Sequence, residues 1–233
     1  MKNLNIFSLV TEYENAKSGG VLNVPNVSFI DEDSSVRYLL KNIDPYNGYE
    51  YVDLGLSVKW ATCNVGATSP EQTGLYFAWG ETTGYTGDQV TSGVRAFNPA
   101  SYIGSTISTD LTLVQDAAHV NLGGNWRMPT KAEYQELLDN CDATWTNDYN
   151  GTGVAGSVFT SKVNGKSVFF PAAGHCYYSF VSCVGSYGFY WSASWYSSSY
   201  AWYLSFYFAK VFPEVDLNFR CYGCPVRGVC ERE

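Results

Sequence analysis

Basic residues are scarce in this sequence of 233 residues. It contains 14 Lys and Arg against 22 Asp and Glu, which gives a formal net charge of −8 at pH 7. The few basic residues form no cluster along the chain. Because a nucleic-acid surface needs concentrated positive charge, we expect no nucleic-acid partner.

Long apolar runs are also missing. The chain starts MKNLNIFSLVTEYENAKSGG, where one lysine precedes the short apolar stretch at residues 6–10. That stretch is too short, and too soon followed by polar residues, for a signal peptide or a membrane span. We therefore expect no membrane insertion and no signal peptide.

Histidine is limited to two residues, His119 and His175, and no Ser-His-Asp arrangement is recognisable around either. His119 stands between Ala118 and Val120, which favours a structural role over a ligand or a base. No Gly-rich phosphate loop precedes a helix. The sequence thus predicts no catalytic residues and no cofactor.

The seven cysteines have no regular spacing, and their odd number leaves at least one unpaired within the chain. Cys221 and Cys224 match CxxC, which is compatible with half a zinc site or a redox pair. The nearest partner pair, Cys176 and Cys183, is separated by six residues, so a four-ligand zinc site is disfavoured. Which of these cysteines pair, if any, stays open, and we expect no metal.

Aromatic residues are concentrated in one stretch, residues 187–222. Fifteen of its 36 residues are aromatic, against 17% in the whole chain. Since alternate side chains of a strand face opposite sides, residues 202, 204, 206 and 208 share one face and 203, 205 and 207 the other. The second face consists of Tyr and Ser, which are favoured in antibody-type binding surfaces. The alternative is a Tyr-rich sheet that the rest of the fold covers.

Three motifs, YWSAS, AW.L.F and PVRGV, frame this stretch at residues 190–194, 201–206 and 225–229. Residues 185–229 thereby resemble the variable region of diversity-generating-retroelement target proteins, in which a fixed frame alternates with rewritten adenine-containing codons. The resemblance implies that Cys221 and Cys224 are products of rewriting, whereas Lys210 and Glu214 do not fit an asparagine codon. We expect the region to span about 175–224, with His175, Tyr177, Tyr178, Phe180 and Cys183 as its extension. The predicted ligand-binding positions are Tyr187, Phe189, Tyr196, Tyr200, Tyr203, Ser205, Tyr207, Phe212, Glu214, Val215, Asp216, Leu217, Phe219, Cys221, Tyr222 and Cys224.

The text YVDLGLSVKWATCNVGATSPEQTGLYFAWGETTGY from residue 51, with NWRMPT and FFPAAG further on, resembles the Fibrobacter succinogenes major paralogous domain. That family has a C-type-lectin-like fold of the formylglycine-generating-enzyme-like subtype. The resemblance implies an α+β domain over residues 46–233, with mixed antiparallel sheets and two main helices. Residues 1–45 predict a small docking or oligomerisation element, whose start resembles phage-encoded relatives from gut Bacteroides-like bacteria.

Local sequence patterns predict several helices and strands. Thr130 and Glu133 form a capping box, with Tyr134, Leu137, Leu138 and Cys141 on one face of a helix over residues 131–140. A second helix is predicted at 116–122, a buried strand at 75–79 and a loop at 175–184. Strands at 158–163 and 166–170, joined by Asn164-Gly165, predict a hairpin with a type I′ turn. Residues 145–148 resemble part of a lectin calcium site, but Pro213 lacks the flanking residues, so calcium-dependent sugar binding is disfavoured.

These observations together predict a non-catalytic, hypervariable binding protein. The resemblance implies a phage receptor-binding protein that recognises a bacterial cell-surface protein or glycan. It is then expected on the virion tail or, alternatively, on a bacterial cell surface, attached or oligomerised through its N-terminal element. Two other functions stay open: a relative of formylglycine-generating oxidases, and a Tyr-rich structural surface protein.

We expect Tyr187, Phe189, Tyr196, Tyr200, Tyr203, Ser205, Tyr207, Phe212, Phe219 and Tyr222 to be largely exposed on one face. Trp191, Trp202, Leu204 and Phe206 are expected to be buried beneath them.

Overall fold

The computed structural model describes residues 46–208 and 214–232, so the element predicted at 1–45 lies outside the described residues. The described chain is a mixed α+β fold, mostly of antiparallel strands. The strands are β1 (Tyr51–Val52), β2 (Val58–Asn64), β3 (Cys141–Thr146), β4 (Gly156–Ser161), β5 (Ser167–Pro171), β6 (His175–Tyr177), β7 (Phe180–Ser182), β8 (Tyr187–Trp195), β9 (Tyr200–Tyr207), β10 (Glu214–Phe219) and β11 (Arg227–Glu231). The α-helices are α1 (Gly87–Thr91), α2 (Ala117–Leu122) and α3 (Lys131–Asn140), and 3₁₀ turns span Gly104–Thr106, Leu113–Gln115 and Tyr149–Gly151. No helix among these residues is long and apolar enough to cross a membrane.

The strands form three three-stranded sheets and one hairpin. The sheet orders are β1-β2-β11, β3-β4-β5 and β8-β9-β10, and β6 pairs with β7. The pairing of β11 with β2 places Glu231 opposite Val58. The last strand of the described chain, β11, is therefore hydrogen-bonded to its second strand, β2.

The β8-β9-β10 sheet contributes to two hydrophobic clusters. From β9, Leu204 and Phe206 join a cluster with Tyr134 of α3, while Tyr203 joins another with Phe77. Adjacent residues join different clusters because the side chains of a strand point alternately to its two faces. Both faces of β9 are consequently buried over most of its length.

The helix predicted at residues 131–140 is confirmed with the same bounds. Glu133 donates its backbone N–H to Thr130 Oγ1 at 3.2 Å, and Glu133 Oε2 accepts the Thr130 N–H at 2.7 Å. Tyr134 and Leu137 are fully buried. The capping residues and the apolar spacing lie within a few positions of each other, so local sequence determines where this helix begins.

The helix predicted at 116–122 is also confirmed, with Asp116 as its N-cap. The Asp116 carboxylate accepts the backbone N–H of His119 at 2.9 Å and that of Met128 at 2.8 Å. His119 Nδ1 lies 3.0 Å from the carbonyl oxygen of Trp126. This contact agrees with the structural role expected for His119.

Three local predictions were wrong. A type I′ turn requires a positive φ at both central residues. In the β4–β5 loop φ is +73° at Gly165 but is not positive at Asn164, so the loop is not a type I′ turn. Instead, Gly165 donates its N–H to the Ser161 carbonyl at 2.9 Å, which closes a longer turn. Residues 75–79 form single bridges, such as Phe77 with Cys224, in place of a strand. Residues 175–184 form the β6–β7 hairpin in place of a loop.

Candidate ligand-binding surface

Nine rings contact one another in a continuous network, which we call the aromatic surface. The rings come from the β6–β7 hairpin, β8, β9, β10 and the segment that follows β10. Six of the nine are predicted variable positions, and the other three belong to the predicted extension. The members are His175, Tyr177, Tyr178, Tyr187, Phe189, Tyr200, Tyr207, Phe219 and Tyr222.

Tyr222 is the junction of this network. Its ring centroid lies 4.8 Å from that of Tyr177, 5.6 Å from that of His175 and 5.4 Å from that of Phe219. Phe219 in turn lies 4.5 Å from Tyr200. Tyr222 thus connects the β6–β7 hairpin to the outer ends of β9 and β10.

Backbone pairing brings these segments together. Cys176 donates its N–H to the Gly223 carbonyl at 2.7 Å, and Gly223 returns a bond of 2.9 Å. A Cβ at position 223 would lie 2.8 Å from the Phe97 ring and 2.9 Å from the Cys176 Cβ. Glycine is therefore needed here for β6 to approach the segment that carries Tyr222.

A second branch of the network crosses the β8–β9 pair. The His175 and Phe189 rings lie 4.9 Å apart, and Phe189 stacks on Tyr187 at 5.5 Å. Tyr187 stacks on Tyr207 at 4.8 Å, and the two residues are direct partners across the strands. Cross-strand aromatic pairs of this kind stabilise a sheet face.

The aromatic surface is only partly exposed. Tyr177, Tyr178 and Phe219 are 40%, 46% and 42% exposed, whereas Tyr187, Phe189, Tyr200, Tyr207 and Tyr222 are half-buried. The expectation that these rings would be largely exposed is thus met at Phe219 and only partly at the other five. The reason is mutual contact, since each ring covers part of its neighbours. Phe212 lies outside the described residues.

Tyr203 and Ser205 were expected to be exposed, and this was wrong. Only 8% of Tyr203 and 6% of Ser205 are exposed. The Tyr203 ring packs 5.7 Å from Phe189 and 6.2 Å from Trp191. Burial raises the pKa of Tyr203, and the charge of Asp216 adds to this effect. Tyr203 is therefore a buried residue, and the aromatic surface packs on it through Phe189.

Cys221 and Cys224 are also buried, so neither thiol is presented at the surface. Cys221 is 7% exposed and Cys224 is fully buried. Burial raises the pKa of both thiols, since a low dielectric disfavours the thiolate. All seven cysteines are free, and Cys183 is exposed at the end of the β6–β7 hairpin.

Val215 and Leu217 belong to the opposite face of the sheet. They pair with Leu204 and Trp202, and directly opposite residues share a face. Val215 packs against the cluster that contains Leu204. These two predicted positions therefore lie on the face of the sheet that carries Leu204, and not on the face that carries Tyr203 and Tyr207.

Tyr196 lies with Trp202, apart from the nine rings. It is 48% exposed, and its ring packs edge-on against Trp202 at 5.4 Å. The ammonium of Lys131 lies 3.4 Å from the centre of the Trp202 ring. Trp202 was expected to be buried but is half-buried, because Lys131 and Tyr196 cover it in place of a core. Trp191, Leu204 and Phe206 are buried as expected.

Two carboxylates border the aromatic surface along β10. Glu214 and Asp216 are exposed and pair across the strands with Ser205 and Tyr203. They therefore point to the same face as Tyr207. The face of β10 that adjoins Tyr203 and Tyr207 thus carries two carboxylates.

Arg220 holds the segment that carries Phe219 and Tyr222, and sequence reasoning did not assign it a role. It is 1% exposed. Its Nε donates to Tyr102 Oη at 2.9 Å, and its Nη1 donates to the carbonyls of Ile107 at 3.0 Å and Ser197 at 3.1 Å. The guanidinium also lies 4.5 Å from the centre of the Trp79 ring. The signal that could have identified it is a single arginine in a stretch with little charge.

His175 contributes the one imidazole of the network. Its Nδ1 is buried and has no hydrogen-bond partner among the described residues. Burial lowers the pKa of this imidazole, since desolvation disfavours its charged form. The imidazole of His175 is therefore harder to protonate than an exposed histidine side chain.

The residues that resembled a calcium site make local contacts. Trp145 Nε1 donates to Asn147 Oδ1 at 2.8 Å, and Asp148 Oδ1 accepts the Gly153 N–H at 2.6 Å. Within residues 46–208 and 214–232, no group of three or more His, Cys, Asp or Glu side chains is placed to hold a metal ion.

Comparison with known proteins gives one match, which includes the aromatic surface. Residues 145–229 match a domain of unknown function, DUF8237. Searches of curated proteins and of solved structures gave no match. The matched segment covers less than half of the chain, and it includes every predicted ligand-binding position.

Proposed function

We propose that this protein is a non-catalytic binding protein whose aromatic surface contacts the ligand. The observation that carries the proposal is the continuous network of nine rings on one part of the fold. Three of its rings are at least 40% exposed. Partly exposed tyrosines that support one another supply contact area at low conformational cost, and exposed apolar patches of this kind mark interaction sites.

The burial of the sheet supports a separation of stability from recognition. Leu204 and Trp191 are fully buried, while Tyr187 and Tyr207, on the same two strands, reach the surface. Side-chain changes at Tyr187 and Tyr207, which belong to neither of these apolar clusters of the described residues, therefore leave Leu204 and Trp191 packed. This is the property that a diversified binding protein requires.

We further propose that the fold is C-type-lectin-like, of the formylglycine-generating-enzyme-like subtype, and that the chain is a diversity-generating-retroelement variable protein. The supporting observations are the resemblance of residues 51–85 and 185–229 and the mixed α+β architecture. In this proposal the ligand is a bacterial cell-surface protein or glycan, and the protein acts in phage receptor binding.

The cysteines favour binding over the oxidase alternative. A cysteine nucleophile reacts as its thiolate, and burial raises the pKa of the thiols of Cys221 and Cys224. Among the described residues, the exposed thiol is that of Cys183, at the end of the β6–β7 hairpin, whereas Cys176 of the same hairpin is buried.

The test is binding of the labelled full chain to a panel of intact gut bacteria. Tyr177→Ala and Phe219→Ala are compared with Tyr49→Ala, whose side chain is equally exposed at 40% but lies outside the aromatic surface. We expect binding to at least one strain, lost in the first two variants and kept in the third. Equal binding by all three variants would show that the aromatic surface is not the ligand site.

The genetic part of the proposal has a separate test. The gene neighbourhood should contain a reverse transcriptase gene and a near-copy of the segment encoding residues 185–229, differing only at adenines. Absence of both would remove the retroelement assignment and leave the binding surface to be judged by the cell assay.

A further inference from the structure

We propose that Phe180, on the β6–β7 hairpin, extends the aromatic surface and inserts its ring into an apolar recess of a folded partner protein. This inference rests on the proposed binding function. It adds one contact residue to the site and selects a protein over a glycan as the ligand.

Phe180 lies on the outer face of its hairpin, next to the aromatic surface. The strands pair Tyr177 with Phe180 and Cys176 with Val181. Directly opposite residues share a face, and successive residues of a strand alternate between faces. Cys176 is fully buried, and Val181 packs against the apolar cluster that contains it. Phe180 therefore points away from this cluster together with Tyr177, whose ring lies 4.8 Å from that of Tyr222.

The Phe180 ring is freer than any of the nine rings. It is 69% exposed, whereas Tyr178, the most exposed of the nine, is 46% exposed. Tyr177 packs edge-on against Tyr178 at 4.6 Å, but in the described part of the chain no other ring packs against Phe180. Phenylalanine has no polar side-chain atom, so this ring contributes to binding only when its apolar area leaves water.

The backbone holds the hairpin in a fixed position. Tyr178, at the turn, donates its N–H to the carbonyl of Phe97 and accepts the Phe97 N–H, both at 2.8 Å. Tyr178 has a φ of +51°, in the left-handed region that residues other than glycine rarely adopt. Phe97 is fully buried, and Cys176 bonds to Gly223 on the other side. Because the hairpin is already ordered, insertion of Phe180 costs little conformational entropy.

The exposure of the ring indicates the class of partner. A sugar unit stacks on one face of an aromatic ring and leaves the remainder in water. A recess in a folded protein surrounds the ring with apolar side chains and buries most of its area, which is how aromatic contact residues supply much of the affinity of protein interfaces. Phe180 therefore fits a protein recess better than a polysaccharide chain.

The first experiment tests whether the ring can enter an apolar recess. The full chain is titrated with β-cyclodextrin, which encloses an apolar cavity that admits an aromatic ring. Maltoheptaose, an open chain of the same glucose units, is the matched control. In amide NMR spectra we expect β-cyclodextrin, but not maltoheptaose, to shift the signals of residues 179–181, and Phe180→Ala should abolish these shifts. Equal shifts with both sugars, or no shift with β-cyclodextrin, would overturn the proposal.

The second experiment measures binding of the labelled full chain to intact bacteria. Phe180→Ala should weaken binding by about tenfold or more, and Phe180→Asp, which brings a charge into the recess, should abolish it. Phe208→Ala is the control, since Phe208 is 70% exposed but packs near Trp145, outside the aromatic surface. It should bind as the parent protein does. Melting temperatures show whether each variant folds, and either Phe180 variant alone is sufficient.

Treatment of the cells identifies the class of ligand. Proteinase digestion of the cell surface should abolish the binding that depends on Phe180, whereas periodate oxidation of glycans should not. The reverse result would show a glycan ligand and overturn the inference. If Tyr177→Ala and Phe219→Ala abolish cell binding but both Phe180 variants bind normally, this inference falls and the proposed function stands. If cell binding does not depend on Tyr177 or Phe219, the proposed function has failed and this inference fails with it.

Discussion

Tyr187 and Tyr207 face each other across β8 and β9, with ring centroids 4.8 Å apart and ring planes 27° from parallel. Both were predicted as variable positions. Because each ring packs on the other, a change at one alters the environment of its partner. These two predicted variable positions are therefore coupled and are not independent contact points.

This coupling can be measured with a double-mutant cycle. For Tyr187→Ala and Tyr207→Ala we expect an interaction free energy of about 0.5–1.5 kcal/mol in unfolding, the value of a stacked pair. The matched cycle pairs Tyr187→Ala with Tyr196→Ala, whose ring contacts Trp202 instead, and should give a value near zero. Urea unfolding of the four proteins in each cycle supplies the data, and equal coupling in both cycles would contradict the pairing.

Tyr203 should behave as a core residue. Tyr203→Ala is expected to lower the free energy of unfolding by about 2–5 kcal/mol, as Leu204→Ala should, because each opens a cavity beneath the sheet. Tyr177→Ala, at an exposed ring, should change it by about 0.5 kcal/mol or less. Denaturant melts of the three variants decide this, and a Tyr203→Ala protein as stable as Tyr177→Ala would show that Tyr203 is exposed.

Arg220 should be needed both for stability and for the shape of the aromatic surface. Arg220→Met removes the donors from several buried carbonyls, and we expect a loss of about 3 kcal/mol or more. Arg220→Lys keeps the charge but not the planar fork of five donors, so it should restore only part of that stability. Thermal melts measure the first effect, and ligand binding at a temperature where both variants are folded measures the second. Full rescue by Lys would mean that charge alone matters.

The stability of the protein should fall with acid through Glu133. Burial acts to raise the pKa of Glu133, but hydrogen bonds from Arg127 and Thr130 outweigh it, so the pKa lies below its ordinary value of 4.5. A lowered pKa in the folded state gives stability that is present above the ordinary value and is lost as pH falls through the folded value.

The corresponding measurement is the free energy of unfolding from neutral pH down to about pH 3. Glu133→Gln should be less stable at neutral pH and should lose less on acidification than the parent protein. Glu50→Gln removes an exposed carboxylate elsewhere and should keep the parent slope. An unchanged slope in Glu133→Gln would contradict the assignment.

The cysteines should differ sharply in reactivity. Burial raises the pKa of Cys176 to about 12 and raises that of Cys224 well above its ordinary value, while Cys183 is exposed. Iodoacetamide applied to the native protein at mildly alkaline pH should therefore label Cys183 well before Cys176 or Cys224. Mass spectrometry of tryptic peptides reads the result. Early labelling of Cys224, or a disulfide between Cys176 and Cys224, would contradict the structure.

The features that the sequence alone determined are those governed by neighbouring residues. The capping box at Thr130 and Glu133 and the apolar spacing after it set the bounds of α3, because all these groups lie within three turns of one helix. The burial of Leu204 and Phe206 also followed from alternation along β9. The concentration of rings in residues 187–222 was visible from composition.

The tertiary structure decided which of those rings reach the surface. Alternation placed Tyr203 and Tyr207 on one face, but only tertiary packing showed that the cluster containing Phe77 buries that face at Tyr203 and leaves it partly open at Tyr207. Tertiary packing also places the Tyr196 ring against Trp202. It buries Cys224, whose backbone forms a β-bridge with Phe77. Exposure depends on which distant segments pack over a strand, and the period of a strand contains no information about them.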